Sequence, residues 1–194
     1  MKGNKSAVRL LYTAAIFIAS AVILCAVFAP LLAPYDPSAV SPEEILEHSS
    51  AAHWFGTDAL GRDILSRVIY GARSSVAFAF CSAFCTMALG LSLGMVSGYF
   101  GGLADKSVQC LVALFQGLPG TSLMIAIAAI LPENDFRIII ALTLTSWTGF
   151  SRIVRNEVLR IKGETYMEGI RSIGAGHWYI LRKYVFPNLL PVLI

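Results

Sequence analysis

The sequence is poor in charge. Only 14% of its residues are Asp, Glu, Lys or Arg, whereas roughly 25% is usual for a soluble domain. Hydrophobic residues make up 56%, which excludes a disordered chain, a collagen and a disulfide-dense secreted module. Because the apolar residues are gathered into long runs, the composition also argues against a soluble enzyme and indicates a protein with several membrane spans.

Patterns that carry chemistry are scarce as well. The four cysteines all lie in apolar runs: Cys25, Cys81, Cys85 and Cys110. Cys81 and Cys85 have the spacing of a metal pair, but no histidine or carboxylate lies near them in sequence. Residues 56–61 have phosphate-loop glycine spacing, yet Arg62 and Asp63 follow where Lys-Ser/Thr is required. We therefore expect no catalytic residue, no metal, no cofactor and no nucleotide hydrolysis by this chain itself.

Several apolar runs approach the roughly 20 residues that a membrane-spanning helix needs. Four of them are read as spans: residues 10–33, 74–100, 108–131 and 138–151. Arg152 and Arg155 follow the last run, and because their long side chains can reach a headgroup layer, the helix can continue towards Leu159. A fifth span begins at residues 188–194. The predicted fold class is an all-α, polytopic membrane helical bundle with about four complete spans.

The first run also has features of a secretory signal. Lys2, Lys5 and Arg9 precede it, and residues 27–29 resemble a cleavage site. Its length and the spans that follow favour an uncleaved first span instead.

The distribution of basic residues predicts a cytoplasmic N-terminus, because Lys and Arg are enriched in cytoplasmic loops. With that orientation, eleven of the 15 Lys and Arg residues lie in the cytoplasmic segments 1–9, 101–107 and 152–187. The net charge of +3 is then a topology signal, and we expect no nucleic-acid binding.

Residues 34–73 become the extracytoplasmic segment in this orientation. The sequence predicts an amphipathic helix over residues 60–70 that lies on the bilayer, with Leu65, Val68 and Ile69 on one side. Asp63 and Arg67 are four residues apart and are expected to form an ion pair.

Small residues recur at every fourth position of the second span. They are Ser82, Thr86, Gly90, Gly94, Gly98 and Gly102. Such a stripe lets another helix backbone approach closely, and its partner could be this chain's own bundle or a second membrane subunit. In the third span, Gly117, Pro119 and Gly120 predict a break, which would line a cavity or fit a curved neighbour.

Residues 152–187 contain a predicted short amphipathic helix. Arg160, Glu164, Glu168 and Arg171 have the spacing of ion pairs along one helix. Met167, Ile170 and Ile173 supply an apolar edge, and Gly174 lies where the helix would end. Such a helix can dock in a groove of another protein or lie flat on lipid headgroups.

Two sequence blocks carry a family resemblance. Residues 166–175, YMEGIRSIGA, followed by VFPN at 185–188, resemble the EAA loop of bacterial ABC-importer permeases. Glu168, Gly174 and Pro187 match its register, while Gly169 and Ile170 replace two usual alanines. The block HWFGTDALGRDILSR at 53–67, together with LAPYDP at 32–37, resembles the dipeptide/oligopeptide/nickel branch of that family.

The resemblance implies a type I ABC-importer transmembrane domain over residues 74–187, in a multi-pass permease subunit of a bacterial inner membrane. Its implied role is to form part of an ATP-driven import pathway for peptides, with nickel import as the alternative. The implied partners are cytoplasmic ABC ATPase subunits, a second permease subunit in a heterodimer, an extracytoplasmic solute-binding protein and the lipid bilayer. Residues implied in coupling to the ATPase are Glu164, Glu168, Gly169, Arg171, Ser172 and Gly174, and those implied in helix packing are Gly90, Gly94, Gly98 and Gly102.

Members of this branch usually have six spans, whereas this chain ends seven residues into the fifth. The expectation is therefore a cut sequence or a truncated product, and a truncated membrane fragment that transports nothing is a further alternative.

Overall fold

The computed structural model describes residues 3–134 and 136–193. Most of these residues are helical, and apart from one bridge between Thr57 and Asp63 they contain no β-structure. The predicted all-α class is confirmed. Met1 and Lys2 of the predicted segment 1–9, and Ile194 of the predicted segment 188–194, lie outside the described residues.

The chain divides into two compact units, Met1–Ala79 and Phe80–Ile194. The first unit opens with α1 (Gly3–Val27), a short helix α2 (Ala29–Leu32) and a 3-10 turn at Pro42–Glu44. The apolar run 10–33 is therefore not one helix. It breaks at Phe28, two residues before Pro30, which lies in the first turn of α2. Residues 33–63, which we call the polar loop, connect α2 to the next helix.

Helix α3 extends from Ile64 to Phe100 without interruption. Asp63 caps its start, because the Asp63 carboxylate accepts a hydrogen bond from the Ser66 backbone N–H at 2.7 Å. The separate surface helix predicted over residues 60–70 is therefore wrong, since those residues are loop up to Asp63 and α3 from Ile64. With 37 residues, α3 is about 55 Å long and exceeds the roughly 30 Å apolar layer of a bilayer.

The second unit continues with α4 (Gly102–Gln116), α5 (Gly120–Ile130) and α6 (Phe136–Lys162). The break predicted by Gly117, Pro119 and Gly120 is confirmed, and the axes of α4 and α5 differ by 92° across it. Proline cannot continue the backbone hydrogen-bond ladder of a helix, and the extended backbone of Pro119 (ψ 119°) starts α5 in a new direction.

The number of spans differs from the prediction. Among the described residues, α1 and α3 are long and apolar enough to cross a membrane, and the bent α4–α5 pair makes a third if it is one span. Helix α6 is not among them although it has 27 residues, because Arg137, Arg152 and Arg155 interrupt its apolar character.

The chain ends with α7 (Thr165–Ser172), α8 (His177–Ile180), a π-helical turn (Leu181–Val185) and α9 (Phe186–Leu193). Because α6 ends at Lys162 and α7 begins at Thr165, Arg160 and Arg171 lie on different helices, not on one as predicted. An apolar core joins the end of α3, the last turns of α6 and the segment from α8 to α9.

Candidate functional site

Helix α7 is fixed to the rest of the second unit mainly by Met167, with half-buried Ile170 packed against the same apolar cluster. Met167 is 0% exposed, and it lies in an apolar cluster contributed by α3, α6, α8, the π turn and α9. The other buried members are Tyr99, Val154, Val158, Ile161, Ile180, Leu181, Val185 and Leu189. Burial of a whole methionine side chain is worth about 1.5–3 kcal/mol, so Met167 sets the position of α7.

The residues predicted to couple to an ATPase all lie in α7 or beside it, and all are exposed. Glu164 is the N-cap residue of α7, and the Ser172 hydroxyl donates to the Glu168 carbonyl oxygen at 2.9 Å. Gly174 has φ +79° and its N–H donates to the Arg171 carbonyl at 2.9 Å. A left-handed residue of this kind is typical of a helix C-terminus. Buried Met167 thus holds a short helix whose polar side chains stay accessible.

Two contacts expected for this helix are absent from the described residues. Arg160 pairs with Glu157 at 2.5 Å and with Glu164 at 3.2 Å, whereas no ion pair joins Glu168 to Arg171. The predicted apolar edge is also incomplete, because Ile173 is 83% exposed.

An ion pair that the sequence reasoning missed connects α4 to α6. The Arg155 guanidinium donates two hydrogen bonds to the Asp105 carboxylate, at 2.6 and 2.5 Å. The Ser97 hydroxyl of α3 donates to the same carboxylate at 2.5 Å. The sequence pattern predicts a headgroup contact for Arg155 instead. A signal was available, because Asp105 is the one acidic residue between residues 64 and 132.

Further polar contacts fix the helix ends around α7. The Lys162 ammonium donates to the Tyr99 carbonyl oxygen at 2.8 Å, and the Tyr99 hydroxyl lies 3.0 Å from Nδ1 of His177. Together they join the end of α3 to the end of α6 and to the start of α8.

The glycine stripe lies against α6 of this same chain. A Cβ on Gly94 would lie 2.6 Å from the Ser151 carbonyl oxygen. At Gly90 and Gly98 the corresponding distances, to the carbonyl oxygens of α6 residues Trp147 and Arg155, are 3.0 and 2.9 Å. Gly102 is not part of this contact: it has φ +55° at the first residue of α4, with nothing within 4 Å of its Cβ position.

The polar loop of the first unit is organised around Asp58. Its carboxylate accepts hydrogen bonds from the backbone N–H groups of Leu60 and Arg62, at 2.8 and 3.1 Å. It also pairs with the guanidinium groups of Arg62 and Arg67. The hydrogen bond from the Arg62 side chain is the main reason why the pKa of Asp58 lies well below its ordinary value, and the backbone hydrogen bonds add to this effect. The predicted ion pair between Asp63 and Arg67 is wrong, since Arg67 pairs with Asp58.

The glycines of the phosphate-loop-like spacing have a structural use. Gly56 and Gly61 have φ +72° and +71°, and a Cβ on either would collide with the carbonyl oxygen of Glu47 or Ser41. They allow the close turns that wrap the loop around Asp58.

A buried histidine lies on the other side of the polar loop. His53 is 4% exposed, and its Nδ1–H donates to the Asp63 carboxylate at 3.0 Å. Its Nε2 lies 3.6 Å from the Glu44 carboxylate, and the Tyr35 ring lies 4.7 Å from its ring. The hydrogen bond to Asp63, which outweighs the opposing effect of burial, raises the pKa of His53 above 6.5.

We expect the polar loop to loosen as pH rises. Because the pKa of His53 is raised in the folded loop, its stabilising contribution is full below 6.5 and is lost as pH passes through the raised value. Hydrogen–deuterium exchange of residues 44–63, corrected for the intrinsic chemical rate, should show protection falling as pH rises above about 6.5. His53→Gln should remove this dependence, and His48→Gln, at an exposed histidine of the same loop, should keep it. A pH-independent wild type would contradict the expectation.

Two further features concern ligands. In the described part of the chain, no three His, Cys, Asp or Glu side chains are grouped to hold a metal ion, and the four cysteines form no disulfide. Between α5 and α6 lies an apolar cavity of about 380 Å³, lined by Met124, Ile125, Ala128, Ala129, Arg137, Ile138 and Ala141.

These features define the class of protein: a helical, multi-pass membrane protein with a short accessible helix anchored beside its spans. Residues 90–194 match the family described as binding-protein-dependent transport system inner membrane component. The chain belongs to this family, as the resemblance of its EAA-like block indicated.

Similar proteins agree with the branch. The chain is 36% identical over 167 residues to the oligopeptide transport system permease protein OppC of Bacillus subtilis, covering 86% of this chain and 55% of that protein. It is 36% identical over its whole length to the dipeptide transport system permease protein DppC of the same organism, covering 59% of it. It is also 36% identical over 168 residues to the glutathione transport system permease protein GsiD of Pectobacterium atrosepticum, covering 86% of this chain and 56% of that one. The chain thus spans little more than half the length of these relatives.

Proposed function

We propose that this chain is a membrane-spanning permease subunit of an ATP-driven ABC importer and forms part of a translocation pathway for peptides. Its family membership carries the proposal, and the names of its relatives, oligopeptide and dipeptide permeases, favour peptides over nickel. The partners would be cytoplasmic ABC ATPase subunits, a second permease subunit and an extracytoplasmic solute-binding protein. ATP hydrolysis would belong to the ATPase, not to this chain.

The proposed orientation follows from charge. Eleven of the 15 Lys and Arg residues lie on the side of the N-terminus if residues 1–9, 101–107 and 152–187 share that side. A cytoplasmic N-terminus satisfies the positive-inside rule. In that orientation the polar loop faces outward and α7 faces the cytoplasm, where an ATPase subunit would meet it.

The proposed coupling surface is the exposed part of α7. Glu164, Glu168, Gly169, Arg171, Ser172 and Gly174 would contact a groove of the ATPase. A short helix with one buried anchor and exposed polar residues is suited to this, because displacement of the helix must also displace the apolar cluster around Met167. Closure of the ATPase pair would then move the helices as rigid bodies.

Charge reversal at α7 tests the coupling. We expect Glu168→Arg, in this protein coexpressed with its ABC ATPase subunit, to reduce copurification of the ATPase at least about tenfold, because the substitution reverses the charge at the proposed interface. Substrate-stimulated ATP hydrolysis should fall with it. Glu133→Arg is the matched control, since Glu133 is an exposed glutamate outside α7.

The result can also contradict the proposal. If Gly174→Trp and Glu168→Arg both retain ATPase association and substrate-stimulated hydrolysis, α7 is not the coupling helix. Uptake of labelled dipeptide and of nickel ion, in cells lacking the native permease, separates the two substrates. Absence of both activities would favour a membrane protein that transports nothing.

A further inference from the structure

A cluster of aromatic and basic side chains follows α7 and is not used by the proposed coupling. Trp178 and Tyr179 belong to α8, and Arg182 and Lys183 to the π turn. These four side chains line an open cavity of about 540 Å³. Trp178 is 82% exposed, so its ring is available for contact with another surface.

The charges of this cluster have no acidic partner among the residues that the structure describes. Arg182 and Lys183 take part in none of the ion pairs found there, and the sequence has no Asp or Glu from residue 169 to its end. The Lys183 ammonium instead donates to the Tyr179 hydroxyl at 2.9 Å and lies 5.1 Å from the centre of its ring. Two cations beside one cavity favour an anionic ligand.

The cluster also lies immediately before an apolar helix, at a distance set by the continuous helical backbone. Residues 177–193 are helical without interruption, and Arg182 precedes the first residue of α9, Phe186, by four positions, or about 6 Å. Helix α9 is the beginning of the predicted fifth span. Basic residues and exposed Trp and Tyr just before an apolar helix are typical of the headgroup layer of a membrane.

We propose that Trp178, Tyr179, Arg182 and Lys183 form a binding site for the phosphate of an anionic phospholipid headgroup. The two cations neutralise the phosphate, and the Trp178 ring lies along the upper part of the acyl chains. The site depends on placement in a membrane but not on transport or on an ATPase.

Bromine-labelled lipids test the site directly. The full chain with Trp54→Phe retains two tryptophans, buried Trp147 and exposed Trp178. Bromine in the lipid should therefore quench mainly the fluorescence of Trp178. This variant is placed in phosphatidylcholine nanodiscs that contain the same mole fraction of brominated phosphatidylglycerol or of brominated phosphatidylcholine. We expect brominated phosphatidylglycerol to quench the tryptophan fluorescence at least about twofold more than brominated phosphatidylcholine does, because each basic residue attracts anionic lipid.

Charge variants and competitors decide the result. The double variant Arg182→Gln/Lys183→Gln should reduce the ratio of quenching by the two lipids to about one. The charge-conserving variant Arg182→Lys/Lys183→Arg should keep the ratio. So should Lys106→Gln, at another exposed lysine. Equal quenching by the two lipids in the parent protein overturns the proposal. Loss of the difference on adding inorganic phosphate also overturns it, because the site would then take free phosphate. Quenching by soluble iodide but by neither lipid overturns it as well and leaves the surface to a protein partner.

Discussion

Gly94→Ala will lower the stability of the second unit, by about 1–3 kcal/mol. The added Cβ would lie 2.6 Å from the Ser151 carbonyl oxygen and 2.8 Å from Cβ of Val154. Both neighbours belong to α6, so α3 and α6 must move apart to admit it. This cost exceeds the gain of at most about 1 kcal/mol that alanine brings to a helix interior.

Gly149→Ala is the matched control. Gly149 lies within α6, and nothing lies within 4 Å of its Cβ position, so the same change should be neutral or stabilising. Thermal unfolding of the purified protein in detergent measures both variants. An unfolding midpoint of Gly94→Ala equal to that of Gly149→Ala would show that the two helices are not in close contact at the stripe.

Met167→Ala should release α7 from its position, because the side chain it truncates is fully buried. Loss of a buried methionine costs about 2–5 kcal/mol, and α7 has no other buried residue. We expect amide exchange in residues 165–172 to accelerate by at least about tenfold. In the ATPase assay, hydrolysis should continue while stimulation by substrate is lost.

Ile173→Ala serves as the control for the anchor. Ile173 is equally apolar but 83% exposed, so its truncation should change stability by no more than about 0.5 kcal/mol. Unchanged exchange across α7 in Met167→Ala would mean that the helix is held by its backbone connections and not by the apolar cluster.

The glycine stripe shows what a sequence can and cannot specify about packing. Spacing at every fourth residue predicts that one face of α3 admits a close neighbour, and the spacing is visible without a structure. It does not identify the neighbour, since the residues of α6 whose backbone oxygens touch it, Trp147, Ser151 and Arg155, share no side-chain type. The three-dimensional structure is therefore needed to show that α6 of this chain contacts the stripe.

Spacing along a helix correctly predicts the Arg160–Glu164 ion pair, but it fails where tertiary contacts decide the partner. Arg67 is four residues from Asp63, but Asp63 is occupied by His53 and by the start of α3. Arg155 lies fifty positions from Asp105, a separation that no local pattern covers. The end of α7 was predicted correctly, because a glycine after a helix has a local physical reason.

At the three glycines the backbone of α3 lies directly against α6, where it meets backbone oxygens together with the side chains of Phe150, Val154 and Val158. A long, flexible side chain can absorb a small push by changing rotamer, whereas helix backbone and valine side chains in a helix have little such freedom. A displacement of α6 would therefore carry this part of α3 with it. The smallest residues in the chain are for this reason the ones that make the pairing of these two helices stiff.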